Sequence, residues 1–114
     1  MSTLKNSVRL MGFAGGDPEI KIFSDQKKVA RLNIATHEIY RNADNEKIEQ
    51  TQWHQLVFWG KQADIAEKYI QKGKEISVGG RLTTHSYEAK DGTKRYVTEV
   101  VVNEIVLLGG KKND

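Results

Sequence analysis

Thr51-Gln52-Trp53-His54-Gln55-Leu56-Val57-Phe58-Trp59-Gly60-Lys61 holds both tryptophans of this 114-residue chain and closes on a lysine. Read as a strand, whose side chains alternate between faces, it puts Trp53, Gln55, Val57 and Trp59 on one side and His54, Leu56 and Phe58 on the other. At a rise of about 3.3 Å per residue the two indoles stand roughly 20 Å apart on one face. Leu56 and Phe58 already supply an apolar side for a core. The mixed pair Gln55 and Val57 between the indoles suits a surface, so the tryptophan face is left for a ligand or a partner.

Before this stretch the period stays at two. Lys5–Phe13 reads as a long strand, with Val8, Leu10 and Gly12 on one face and Arg9, Met11 and Phe13 on the other; Gly15-Gly16-Asp17-Pro18 turns it. Glu19–Phe23 alternates again, and Ser24–Lys27 makes the next turn. Val29–Tyr40 follows, with Ala30, Leu32, Ile34 and Thr36 buried and Arg31 and Asn33 facing out. Tyr40 shares the parity of the buried set. Residues 41–50 carry charges and Asn with almost nothing apolar, which predicts an exposed, mobile hairpin loop.

After Gly60, Ile65, Ala66, Tyr69 and Ile70 recur at helical spacing over Lys61–Lys72, Asp64 and Lys68 make an i, i+4 pair, and Gly73 is placed as the C-cap. Tyr69 is read as helix packing. Glu75–Ser86 then alternates, Ile76, Val78 and Leu82 inward and Arg81, Thr83, His85 and Tyr87 outward, with a bulge expected at Gly79-Gly80. Asp91-Gly92 is a turn, and Arg95–Leu108 is the last strand. Its centre, Val100–Val102, is apolar on both faces and so expects cover from two sides, by the barrel itself or by another subunit. The expected class is all-β: a five-stranded OB-fold barrel with one helix between strands 3 and 4. The helix after the third strand argues against an SH3-like barrel or a sandwich. Residues 1–108 are read as one domain and 109–114 as a short polar C-terminal end.

Composition narrows the function classes. The chain has no cysteine, and His37, His54 and His85 lack zinc-type spacing, so no metal and no cofactor is expected. No carboxylate pair stands beside a histidine and no glycine loop leads from strand to helix to cradle a phosphate, so no catalytic residue is expected. No run approaches the ~18 apolar residues a membrane span needs, and the N-terminus has no apolar signal region, which predicts a cytoplasmic protein with no membrane partner. The net charge of +3 leans only slightly toward anionic partners.

What the outward face collects is more specific. Arg9, Phe13, Lys21, Arg31, Trp53, Trp59, Arg81, His85 and Tyr87 interleave rings with cations, and Tyr40 and Arg41 stand where the second long strand ends. Unstacked bases offer π-faces to such rings and linking phosphates need such cations, whereas a duplex keeps its bases inside. Phe13 therefore joins the candidate stacking residues, and Lys61, Lys72 and Arg95 join Arg9, Lys21, Arg31, Arg41 and Arg81 as candidate backbone contacts. His54, which shares its face with Leu56 and Phe58, and Val101 are candidates for an interface between subunits. Two other readings compete. The tryptophans lie in a subunit interface of an interaction module, as in replication-restart proteins, or the barrel binds RNA, which the lack of a Lys-Gly-Phe-Gly-Phe cluster disfavours.

The residues also carry a resemblance. Gly15–Glu19 (Gly-Gly-Asp-Pro-Glu), Glu49–His54 (Glu-Gln-Thr-Gln-Trp-His), Phe58–Lys61 (Phe-Trp-Gly-Lys), Tyr69–Gly73 (Tyr-Ile-Gln-Lys-Gly) and Arg95–Val102 (Arg-Tyr-Val-Thr-Glu-Val-Val-Val) resemble the bacterial single-stranded DNA-binding protein family, in unbroken order across about residues 5–108. The resemblance implies base stacking on Tyr40, Trp53, Trp59 and Tyr87, and a homotetramer that wraps single-stranded DNA in replication, recombination and repair at the nucleoid. Tyr40 and Tyr87 stand where tryptophan is common in the family, and Trp59 where phenylalanine is. Thr83 and His85 replace residues that are often basic. Family members usually continue into a Gly/Pro/Gln-rich linker and an acidic tip that recruits replication and repair proteins; this sequence ends in Lys-Lys-Asn-Asp, without that tip.

Overall fold

The computed structural model describes residues 5–109, so all of the expected polar end except Gly109 lies outside the described residues. Its elements are β1 (Val8–Ala14), β2 (Glu19–Ile22), β3 (Lys28–Arg41), β4 (Lys47–Trp59), α1 (Lys61–Tyr69), β5 (Glu75–Glu88) and β6 (Lys94–Leu107). The sheet order is β1-β5-β6-β4-β3-β2, and β1 also pairs with β3. That extra pairing closes β1, β5, β6, β4 and β3 into a five-stranded barrel, which removes open edges. The short β2 hangs on β3 outside the ring. The helix therefore follows the third strand of the barrel, as the sequence pattern predicts, although it follows the fourth strand of the chain.

All pairings are antiparallel but one. β4 and β6 run parallel and share only Leu56↔Val100 and Val57↔Val101. The inward rows of the strands meet in one core, with Ile34, Leu56, Phe58 and Ile76 at its centre, and Ala63, Ala66 and Ile70 close one end. The two alanines let the helix axis come close to the strands. The expected stripe is thereby corrected: Ile65 is half-buried, and Tyr69 is exposed. Asp64 pairs across the fold rather than along the helix. The Lys28 ammonium lies 2.8 Å from the Asp64 carboxylate and is also bonded to Glu67, and these partners, Asp64 first, raise its pKa above the ordinary lysine value.

Besides β1, which begins at Val8 rather than Lys5, and shifts of one residue elsewhere, three boundaries differ from the sequence reading. The helix stops at Tyr69, because Ile70 is already extended, and Gly73 serves a different end from the expected C-cap. It sits at φ 89° in a turn closed by the Lys74 N–H on the Gln71 carbonyl (2.9 Å), and its own N–H reaches the Ala14 carbonyl (2.8 Å). The chain must swing there from the helix into β5. The exposed loop expected over 41–50 is mostly strand, since the β3–β4 ladder continues to Arg41↔Lys47. Charged side chains on both faces of a ladder need no core when the backbone bonds are satisfied within the hairpin. The Asn42 side-chain oxygen accepts the N–H groups of Asp44 and Glu46, both at 2.9 Å, and Asn45 takes φ 62° to finish the turn. β5 likewise runs past Ser86, to Glu88↔Lys94, so two hairpin arms project from the barrel. The irregularity at Gly79/Gly80 stands where the paired glycines predict it, with Asn103 the extra residue opposite.

Closure depends on Gly12, where β1 passes from β5 to β3. A Cβ at this position overlaps the Ala35 carbonyl oxygen. Gly12→Ala is expected to lower the free energy of unfolding by about 1–3 kcal/mol through overpacking. Urea denaturation measures this, and wild-type stability in the variant contradicts a tight closure.

Candidate nucleic-acid interface

The outward rows of β1, β3, β4, β6 and β5 form the surface on which the rings stand. Phe13, Ala35 and Trp53 occupy one row across β1, β3 and β4. Asn33 and Gln55 share the next, and Arg31, Val57, Val101 and Arg81 occupy a third, across β3, β4, β6 and β5. Val29 and Trp59 share a fourth, with Lys21 beside Val29. Trp53 is 62% exposed and Trp59 42%. Tyr87 lies farther out on the β5–β6 arm, opposite Arg95.

Trp53 is held from below. A Cβ on Gly15 stands only 2.6 Å from its Cζ3, so the indole lies over bare backbone at the start of the first turn. Gly15 is fixed in turn by its N–H on the Asn33 carbonyl (2.8 Å). Trp59 has a ring neighbour that the sequence pattern missed: Phe23 stacks on it at 6.1 Å between centroids and 20° between planes. Alternation puts Phe23 on the face of Lys21 but names no partner for it, and only the tertiary pairing of β2 and β4 with β3 brings it to Trp59. Tyr40 is not brought to the tryptophan side. The ladder from Val29↔Trp59 to Arg41↔Lys47 runs without a bulge, so Tyr40 stands half-exposed on the other face of the arm, paired with Ile48.

The cations divide into bound and available. Arg31 is bonded by Glu99, a carboxylate only 5% exposed on the outward row of β6, whose other oxygen lies 3.2 Å from His85 Nε2. β4 runs between β3 and β6, so the Arg31–Glu99 pair straps across it. Val57, outward by parity, is only 2% exposed beneath. Glu99 is the functional-face residue that the sequence reading passed over; its signal is an acid at outward parity in an otherwise apolar run. Arg95 is turned into its own hairpin, Nη2 lying 3.4 Å from Asp91 Oδ2. The Thr93 hydroxyl above all, then the Thr93 N–H, hold the Asp91 carboxyl below the usual carboxylate range, and Arg95 adds to this. Arg41 donates to the Asn45 carbonyl at the tip of the other arm (3.0 Å). Among the described residues Arg9, Lys21, Lys61, Lys72 and Arg81 make no ion pair. Lys72 is anchored by its N–H on Asp17 (2.9 Å), near the Gly15 turn.

The interface candidates fall apart. Val100 and Val102 are in the core, and Val101 is half-buried on the tryptophan side between Val57 and Arg81. The apolar character of this segment on both faces is therefore met within one chain. His54 lies on the opposite side, half-buried, with Nε2 3.0 Å from Thr36 Oγ1. The described residues hold no His/Cys/Asp/Glu group fit for a metal, and no helix among them is long and apolar enough to cross a membrane.

Comparison with known proteins gives this surface a context. A family model described as the single-strand binding protein family matches residues 5–108. The chain is 38% identical over 107 residues to single-stranded DNA-binding protein 1 of Chlorobaculum tepidum, covering 93% of this chain and 66% of that protein. It is 37% identical over 106 residues to the single-stranded DNA-binding protein of Xanthomonas axonopodis pv. citri, covering 93% and 59%. The chain thus spans about three-fifths to two-thirds of the length of these relatives. Among solved structures it is similar to a Plasmodium falciparum SSB in complex with ssDNA, with a TM-score of 0.85 and 30% identity over 96% of this chain and 99% of that one. It is also similar to a deletion mutant of the single-stranded DNA binding protein from Thermus aquaticus, with a TM-score of 0.82 and 27% identity over 93% and 51%.

The strap has a measurable strength. Glu99→Gln keeps the shape and removes the charge that Arg31 and His85 share, so unfolding free energy is expected to fall by about 1–3 kcal/mol, the contribution of hydrogen bonds to a charged group. Thermal or urea unfolding reads this directly. An unchanged value means that Arg31 and Glu99 are held by the barrel rather than holding it.

Proposed function

The chain belongs to the single-strand binding protein family, and on that premise we propose that it binds single-stranded DNA, without catalysis and with little regard to sequence. The observation that carries this reading is the pair of exposed indoles on one face, with Phe13 in the row of Trp53 across Ala35 and cations without ion pairs on the same strands. Trp53, Trp59, Phe13 and Tyr87 take bases by stacking, at about 1–3 kcal/mol per base, a contribution that every base can make. Arg9, Lys21, Lys61 and Arg81 meet the phosphates. Arg31 is weaker in this role, since Glu99 neutralises it. Lys72, Arg41 and Arg95 lie at the margins, and Tyr40 is reached by a strand that passes around the edge of the β3–β4 arm. Residues 1–108 carry this activity, and its setting is the cytoplasmic nucleoid, where it protects single strands in replication, recombination and repair.

Intrinsic tryptophan fluorescence titrated with oligo(dT), oligo(rU) and duplex DNA tests the reading. Strong quenching by oligo(dT) and little by duplex is expected, and Trp53→Ala and Trp59→Ala each weaken oligo(dT) binding by about 1–3 kcal/mol. Preference for oligo(rU) makes the barrel an RNA binder. Absence of quenching by all three makes the tryptophan face a protein interface.

We also propose that copies of the chain assemble into a tetramer. The reading is supported by the row Met11, Ser77 and Val106 across β1, β5 and β6, whose apolar members are 60% and 50% exposed. His54 and the underside of the arm offer a second contact, and closed two-fold symmetry makes a tetramer from two such surfaces. Several binding faces on one particle raise the local concentration of sites along a strand. Light scattering at micromolar concentration is expected to give four chain masses, each of 12.9 kDa, and Met11→Glu is expected to reduce that number. A monomeric mass, with or without a long oligo(dT), removes the assembly and leaves the stacking face intact.

A further inference from the structure

Phe23 lies just beyond β2, at the start of a turn that fixes its position: its N–H donates to the Lys27 carbonyl (2.8 Å), the Gln26 N–H donates back to the Phe23 carbonyl (2.7 Å), and Gln26 adopts φ 69°. Its ring lies nearly parallel to Trp59, yet the two remain 38% and 42% exposed. A centroid distance of 6.1 Å is toward the long end of offset stacking, so the rings overlap only in part, and the other group over Phe23 is the ammonium of Lys21, at the end of a flexible side chain. Beside them is an open cleft of about 1060 Å³, lined in part by Phe23, Ser24, Lys27, Trp59, Gly60 and Lys61. Two large rings left wet in parallel planes suit flat apolar partners that arrive in parallel planes themselves.

The charges around the cleft point to the same occupant. Lys21 Nζ lies over the Phe23 ring, 5.1 Å from its centroid, a place it gives up to a base as it turns to the phosphate, and neither Lys21 nor Lys61 has an ion pair among the described residues. The acids nearby are engaged: Asp64 with Lys28, and Asp25 with Lys27 at 4.0 Å. We propose that Phe23 and Trp59 form a further subsite of the single strand, in which one nucleobase lies on Phe23 and its neighbour on Trp59, with Lys21 and Lys61 at the linking phosphate. This rests on the single-strand reading above and extends the strand's track past Trp59 to the turn after β2.

Phe23 has a simpler role available, that of covering one edge of Trp59, and leucine separates the two. It keeps the apolar cover and lacks the π-face. The experiment measures equilibrium affinity for a labelled oligo(dT) by fluorescence anisotropy for wild type, Phe23→Leu, Phe23→Ala, Phe23→Tyr and Trp53→Ala, with thermal unfolding of each. Phe23→Leu and Phe23→Ala are expected to bind roughly 5- to 150-fold more weakly, with Phe23→Tyr close to wild type. If Phe23→Ala fails to fold, the Leu and Tyr variants decide. Wild-type affinity in Phe23→Leu together with weakened Trp53→Ala overturns the subsite and leaves the single-strand reading standing. No binding by the wild type removes both.

Discussion

Two residue pairs, Leu56↔Val100 and Val57↔Val101, are all the backbone pairing that joins β4 to β6, and the closure of the barrel depends on that joint. Parallel pairing is no stronger per residue than antiparallel, so a joint this short needs support from its side chains. Below it Leu56, Val100 and Val102 are in the core. Above it Arg31 reaches across β4 to Glu99, and Val57 is sealed between. The same ion pair thus spans the joint and occupies the middle of the face that carries the indoles. A cation that a phosphate needs is spent on structure there.

Not all cations on this face are left without a carboxylate partner to meet phosphates. The chain's excess of bases over acids is only three, and on the outward face Arg31 and Arg95 are already bonded to carboxylates. Rings must then supply much of the affinity. They are unusually well fixed for surface aromatics: Trp53 lies over Gly15, and Trp59 lies against Phe23. Fixing a ring before a base arrives reduces the ordering cost of binding, which is the general advantage of preorganisation. The arms contribute in another way. They satisfy their own backbone bonds and need no core, so they can extend the surface at little cost to packing.

Alternation along the strands was enough to read the barrel, because a side chain on a two-sided sheet has only two places to go. Ile34, Leu56, Phe58, Ile76 and Val100 are in the core where their parity puts them, and Trp53 and Trp59 are outside; Leu82, expected inward, is 47% exposed because it lies past the last β1–β5 pair, Val8↔Gly80. The glycine pair at the bulge was legible for the same local reason, since a bend in mid-strand favours a residue without a side chain. The helix was legible in existence but not in extent. Its stripe is set by which residues meet the barrel end, and that end accepts Ala63 and Ala66 and leaves Tyr69 in solvent.

What the sequence by itself determined is therefore the element order, the core rows and the side of the sheet on which the indoles stand, all consequences of a period fixed by backbone geometry. What only the tertiary structure decided is which residues become neighbours across strands distant in sequence. Glu99 is 68 residues from Arg31 and Phe23 is brought to Trp59 from the far side of β3, so no local pattern announces either contact. The register of β3 against β4 likewise keeps Tyr40 on the far side of the arm from Trp53, because an unbroken ladder preserves parity to its last pair. Local spacing specifies a face, but the order and register of strands in a closed barrel specify what meets upon it.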